Sequence, residues 1–83
     1  MQRTLVKSTT LRSAGYDVHS AVLELQFRHG AVYQYFLVPQ RVYRDLLTSP
    51  SKGAFFNQNI RGKYLYQQVP ETSPLASKAP LSI

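Results

Sequence analysis

Between Val22 and Val38 the apolar positions follow the period of a β-strand, and the rest of the chain can be arranged around that stretch. From Val22 to Arg28, Leu23, Leu25 and Phe27 alternate with Glu24, Gln26 and Arg28, which predicts a strand with one buried face. His29-Gly30 supplies a turn. Val32 to Val38 is almost entirely aromatic or branched, which predicts a central strand covered on both faces. Together they form a β-hairpin whose register depends on the loop. A two-residue loop at His29-Gly30 sets Phe27 opposite Val32 and puts the tyrosines on the face of Glu24 and Gln26. A three-residue loop, Arg28-His29-Gly30 with Gly30 in the left-handed region, sets Phe27 opposite Ala31, Leu25 opposite Tyr33 and Leu23 opposite Tyr35. The second register is preferred because it gathers the apolar residues of both strands on one face.

Other elements flank the hairpin. A weak alternation of Thr9, Leu11 and Ser13 predicts a strand over Thr9 to Tyr16, followed by a turn at Asp17 to Ser20. Pro39 holds its predecessor extended and suits the first turn of a helix. In Gln40 to Thr48, Val42, Tyr43, Leu46 and Leu47 make one apolar helix face and Arg41 and Arg44 lie on the other. Ser49-Pro50 interrupts, and Ser51 can then cap a second short helix, Lys52 to Arg61, or Ser51 to Ala54 is a loop and the helix covers Phe55 to Arg61. Phe56 and Ile60 would face the sheet, and Gly62 would end the helix in the left-handed region. Lys63 to Val69 reads as a last strand with Tyr64, Tyr66 and Gln68 on one face. The expected fold is α+β: a small antiparallel sheet of three to four strands built on a central hairpin, with one or two short helices packed on one face. It would occupy residues 8–69, after a flexible or weakly paired start at 1–7 and before a disordered tail at 70–83, where prolines stand among serines and alanines.

Composition narrows the class. A chain of 83 residues makes one domain with a small core. It contains no cysteine, so neither a disulfide nor a thiolate ligand can support that core, and a reducing compartment fits. No apolar run approaches the roughly 18 residues of a membrane span, and Met1 to Thr10 lacks the apolar region of a secretory signal. The expected location is cytoplasmic, with no membrane partner. Ten Lys and Arg against four Asp and Glu give a net charge of +6, all of its excess lying before Pro70. That balance favours RNA or another anionic polymer as partner, although small basic proteins also use charge for solubility.

The chemistry-bearing residues are few. Tyr33 with Tyr35, and Tyr64 with Tyr66, each place two rings on one strand face. Exposed, they would stack bases; but a small core without tryptophan needs large side chains, and core packing is the first reading for Tyr33 and Tyr35. Ser51-Lys52-Gly53, followed by Asn57, Asn59 and Arg61, could meet phosphate at a helix start, or could be an ordinary cap and a solvated surface. Arg41 and Arg44 form a compact basic pair. The candidate nucleic-acid-binding set is therefore Arg41, Arg44, Lys52, Asn57, Asn59, Arg61 and Lys63. His19 and His29 stand in turns without an acid or cysteine at ligand spacing, the four acids fall singly, and no phosphate-loop or dinucleotide glycine pattern occurs. No metal, cofactor or catalytic residue is expected, and the chain does not read as an enzyme.

Taken together, these residues resemble the KTSC domain, named for its occurrence at the C-terminus of some lysyl-tRNA synthetases and also found as a stand-alone small protein. The resemblance covers Lys7 to Val69. It rests on Ser8 with Leu11, Gly15-Tyr16-Asp17, Leu23 to Phe27, Gly30, Tyr33-Gln34-Tyr35, Val38-Pro39, Val42-Tyr43, Ser51-Lys52-Gly53, Phe55-Phe56-Asn57, Ile60-Arg61 and Tyr64. Thr9 stands where the family pattern often has a second serine. The resemblance implies a compact α+β module with a suspected RNA-binding role and no catalytic residue. A non-catalytic protein-interaction or inhibitor module, acting on a larger protein partner through an uncharged patch or an open sheet edge, is the alternative.

Overall fold

The computed structural model describes residues 3–70. Five strands form one antiparallel sheet: β1 (Thr4–Leu5), β2 (Leu11–Asp17), β3 (Val22–Phe27), β4 (Val32–Tyr35) and β5 (Tyr66–Val69), in the order β1-β2-β3-β4-β5. Two helices, α1 (Gln40–Thr48) and α2 (Lys52–Asn59), lie between β4 and β5 in the chain. The α+β reading holds, with five strands in place of three to four. The extra strand is β1, where Thr4 pairs with Ala14 and Leu5 with Ser13, inside the segment expected as a flexible or weakly paired start. Residues 71–83, most of the expected tail, lie outside the described residues.

The hairpin adopts the three-residue register. Leu25 pairs with Tyr33 and Leu23 with Tyr35, and the Phe27 amide donates to the Ala31 carbonyl at 2.9 Å. Gly30 supplies the positive φ, +105°, that closes this loop. Between Leu11 and Ser13 a bulge shifts the phase of β2. Leu11 consequently faces the core opposite Phe27, whereas Ser13 pairs with Gln26 on the other face and donates its hydroxyl to Gln26 Oε1 at 2.9 Å.

Strand β4 departs from expectation in two ways. It stops at Tyr35, because the chain bends through Leu37 at φ +57°, leaving that leucine 78% exposed. Its outer face is not covered by apolar packing: Glu24, Gln34 and Gln67 join across β3, β4 and β5 by hydrogen bonds of 2.9 and 3.3 Å, and Arg3 extends the row through a 2.9 Å ion pair to Glu24. The core sits on the opposite face alone. Leu11, Ala14, Leu23, Leu25 and Tyr35 from the sheet meet Val38, Val42 and Leu46 from the α1 region and Phe56 and Ile60 from the α2 region.

Both helices follow their sequence signals. Pro39 is the N-cap residue of α1, and Val42 and Leu46 are its buried positions. Ser51 caps α2 by accepting the Ala54 amide at 3.3 Å, which selects the longer of the two α2 readings at its start. The helix ends at Asn59, and Gly62 turns the chain at φ +75° toward β5. Strand β5 is shorter than the expected Lys63 to Val69 span, because that turn occupies the residues before Leu65.

Candidate nucleic-acid interface

Helix α2 has a cleft at each end, and the two differ in chemistry. At its start, a polar cleft of about 550 Å³ lies between the Lys7–Thr10 loop and the Pro50–Asn57 segment. Ser8 shapes the loop by accepting the amides of Thr10 and Leu11 at 3.0 and 3.1 Å, and Arg28 Nε secures it by donating to the Ser8 carbonyl at 3.0 Å. Gly53 lets the loop approach: a Cβ there would stand 2.5 Å from Thr10 Oγ1. Lys7 and Lys52 bring positive charge to this cleft, and Lys52 Nζ donates to the Ser49 carbonyl at 3.1 Å. Hydroxyl donors and two ammonium groups suit an anionic ligand in preference to a cationic one.

Beyond the other end of α2 lies an aromatic cleft of about 440 Å³, lined by Phe27, His29, Tyr33, Tyr35, Phe56 and Tyr66, with Arg61 and Gly62 on its helical side. The antiparallel pairing of β4 with β5 puts Tyr66 opposite Tyr35, so both rings emerge on the core face of the sheet. Tyr33 and Tyr66 stack with centroids 5.7 Å apart, and Phe27 and His29 stack at 5.8 Å. Phe56 meets Phe27 and Tyr35 edge-on at 5.2 and 5.9 Å. Burial, then the neighbouring Tyr33 and Tyr66, push the Tyr35 phenol up to about 12, and Arg61 opposes them.

The seven candidate residues distribute over five places. Lys52 and Asn57 line the polar cleft, and Arg61 lines the aromatic one. Arg41 and Arg44 are exposed on α1, on the side away from Val42 and Leu46. Asn59 donates to the Phe55 carbonyl at 3.2 Å, and Lys63 is exposed in the turn before β5. Arg41, Arg44, Asn59 and Lys63 line neither cleft. Lys7, Ser8 and His29 do, yet sequence reasoning left them out; their positions depend on the loop before β2 and the hairpin turn, which Arg28 joins, both coming up to α2. Among the described residues no three of His, Asp and Glu gather as metal ligands, and no helix is long and apolar enough to cross a membrane.

A family model for the KTSC domain matches residues 7–66, a range that contains the lining residues of both clefts. The chain belongs to the KTSC family. Among proteins similar to it is an uncharacterised protein from Stutzerimonas stutzeri, 45% identical over 64 residues that make up 77% of this chain and 90% of that protein. A lysine–tRNA ligase from Nostoc punctiforme is 36% identical over 63 residues, which are 76% of this chain and 11% of the ligase. The KTSC chain therefore spans only a small part of the ligase. A crystal structure of a KTSC domain protein from Yersinia pestis superposes with a TM-score of 0.81 at 40% identity, covering 83% of this chain and 97% of that one.

Proposed function

We propose that this KTSC protein is a non-catalytic, cytoplasmic module that binds single-stranded RNA, its phosphates held by Arg41, Arg44, Lys52, Arg61 and Lys63 with Asn57 and Asn59 adding polar contacts. The observation that carries the reading is unneutralised charge. Among the described residues the ion pair within 4.0 Å is Arg3 with Glu24, so the arginines and lysines of α1, α2 and the turn before β5 make no such pair, and Asp45 is the one acid of those elements. Cations left free at a surface are available to replace the counterions of a polyanion. Similarity to lysine–tRNA ligases, named for a tRNA substrate, supports the same direction.

The test is titration of a labelled mixed-sequence oligoribonucleotide at two salt concentrations. If about three phosphates are neutralised, log K falls with log salt at a slope near −2. Replacing Arg41 and Arg44 together by Glu should weaken binding without lowering the melting temperature, because both side chains are exposed. Absence of binding at low salt, or equal binding by parent and variant, sinks the proposal.

A protein partner is the second reading, and one observation favours it. Leu37 and Leu65 are 78% and 80% exposed, and the Phe36 amide donates to the Leu65 carbonyl at 2.9 Å, so the two leucines come from neighbouring segments beside the open edge of β5.

A further inference from the structure

Tyr35 is only 4% exposed, yet it lines the aromatic cleft between the sheet and α2. A phenol in such a wall keeps its ring packed and can offer its hydroxyl to a polar edge in the cleft.

The walls specify what carries that edge. Tyr33 and Tyr66 stack nearly parallel, at 18°, and Tyr66 is 59% exposed, so a broad π face is presented to solvent. Edge-on to Tyr33, Phe27 stacks with His29 at 11°. Flat walls with polar tips suit a flat aromatic ligand with hydrogen-bonding edges better than an aliphatic one. An aromatic basin also attracts organic cations, but Arg61 stands on the rim and repels them. The same guanidinium would attract an anion joined to the flat ligand. Gly62, left-handed at φ +75°, places this arginine by turning the chain directly behind it toward Tyr66.

We infer that the aromatic cleft takes one unpaired nucleotide of a single-stranded nucleic acid. Its base lies against Tyr66 and Tyr33 with the Tyr35 hydroxyl at its edge, and its phosphate lies on Arg61. The inference rests on the RNA-binding reading and gives it a base-binding position separate from the cations of α1.

The experiment uses the full chain labelled with ¹⁵N. Amide shifts are followed during titration with adenosine 5′-monophosphate, adenosine and inorganic phosphate, and oligoribonucleotide affinity is then measured for the parent, Tyr66→Ala, Tyr66→Phe and Arg61→Gln. Both adenosine compounds should shift the amides of His29, Tyr33, Gly62 and Tyr66, the monophosphate at lower concentration. Loss of one stacked base should weaken the oligonucleotide roughly tenfold in Tyr66→Ala while leaving the salt slope unchanged. Tyr66→Phe should bind like the parent. Arg61→Gln should bind adenosine normally but lose the advantage of the monophosphate, which keeps the test sound even if Tyr66→Ala folds poorly. Phosphate alone reproducing every shift would reduce the cleft to an anion site and overturn the inference. Oligonucleotide binding with shifts on α1 and none in the cleft would overturn it and leave RNA binding standing. Monophosphate in the cleft without oligonucleotide binding would overturn both the inference and the RNA reading, and would leave a site for a free mononucleotide.

Discussion

Tyr35 is the residue on which the stability of the core and the chemistry of the aromatic cleft both depend. Its ring is buried against Phe56 and opposite Leu23, so Tyr35→Ala leaves a cavity in a core where Tyr35 and Phe56 are the buried aromatics among the described residues. The expected loss is about 3 kcal/mol from a domain of about 5 kcal/mol in total. A thermal melt should show the variant largely unfolded, and a melt matching the parent would refute the burial argument. Tyr35→Phe keeps the ring and isolates the hydroxyl. Burial raises the phenol from 10.0 to about 12, which means that the folded state holds the proton more tightly than the unfolded chain. Below the unfolded value both states are protonated and the full contribution is present. As pH rises from there through the folded value, the unfolded chain releases a proton that the folded chain retains, and stability falls. Melting temperatures measured from neutral to strongly alkaline pH should therefore decline less steeply in Tyr35→Phe than in the parent.

At the scale of elements, the contact between the Lys7–Thr10 loop and α2 is sensitive to a single atom. In an exposed helix interior Gly→Ala normally stabilises by about 1 kcal/mol, and in the first turn, where Gly53 stands, by less. At Gly53 the new Cβ would meet Thr10 Oγ1 at 2.5 Å and Thr10 Cβ at 3.2 Å, and the second of these atoms cannot swing away without moving the loop. Gly53→Ala should therefore destabilise, by about 1 kcal/mol net. Adding Thr10→Ala should recover part of the loss, a coupling readable from urea midpoints of the two single variants and the double. No sequence pattern announces this contact, because it joins residues more than forty positions apart. By contrast the hairpin was legible: Leu23, Leu25 and Phe27 fixed one strand, and the glycine at position 30 selected the register now seen in the Leu25–Tyr33 pair. The α1 face and the Ser51 cap were legible for the same reason, since each depends on residues within one or two turns. Strand β2 alternated only weakly because its bulge puts Leu11 and Ser13, two apart, on opposite faces. Strand β1 was missed because two residues carry no period, and β4 was drawn too long because the bend at Leu37 leaves an apolar residue in water. The tyrosine pairs were visible, but whether they formed core or cleft wall was settled by β5 returning beside β4.

For the whole molecule, charge should make salt act in opposite directions on the free protein and on its complex. The chain carries +6, and among the described residues Arg3–Glu24 is the ion pair within 4.0 Å, so most of the excess is mutual repulsion at a small surface. Screening over about 8 to 10 Å at 0.1 to 0.15 M should relieve that repulsion and raise the melting temperature of the free protein modestly. A bound polyanion reverses the trend, since its affinity falls as salt competes for the phosphates. With free oligoribonucleotide at about one hundred times its Kd, binding adds about 2.7 kcal/mol to stability, or roughly 10 to 20 °C for a domain of this size. The ligand-induced shift should therefore be large at low salt and vanish as salt increases, even while the free protein becomes slightly more stable. A partner captured through Leu37, Leu65 and the β5 edge would behave otherwise, because apolar burial is not weakened by counterions. Paired thermal melts across a salt series, with and without the oligoribonucleotide, read both trends at once, and a ligand-induced shift that persists at high salt would refute phosphate neutralisation as the basis of binding.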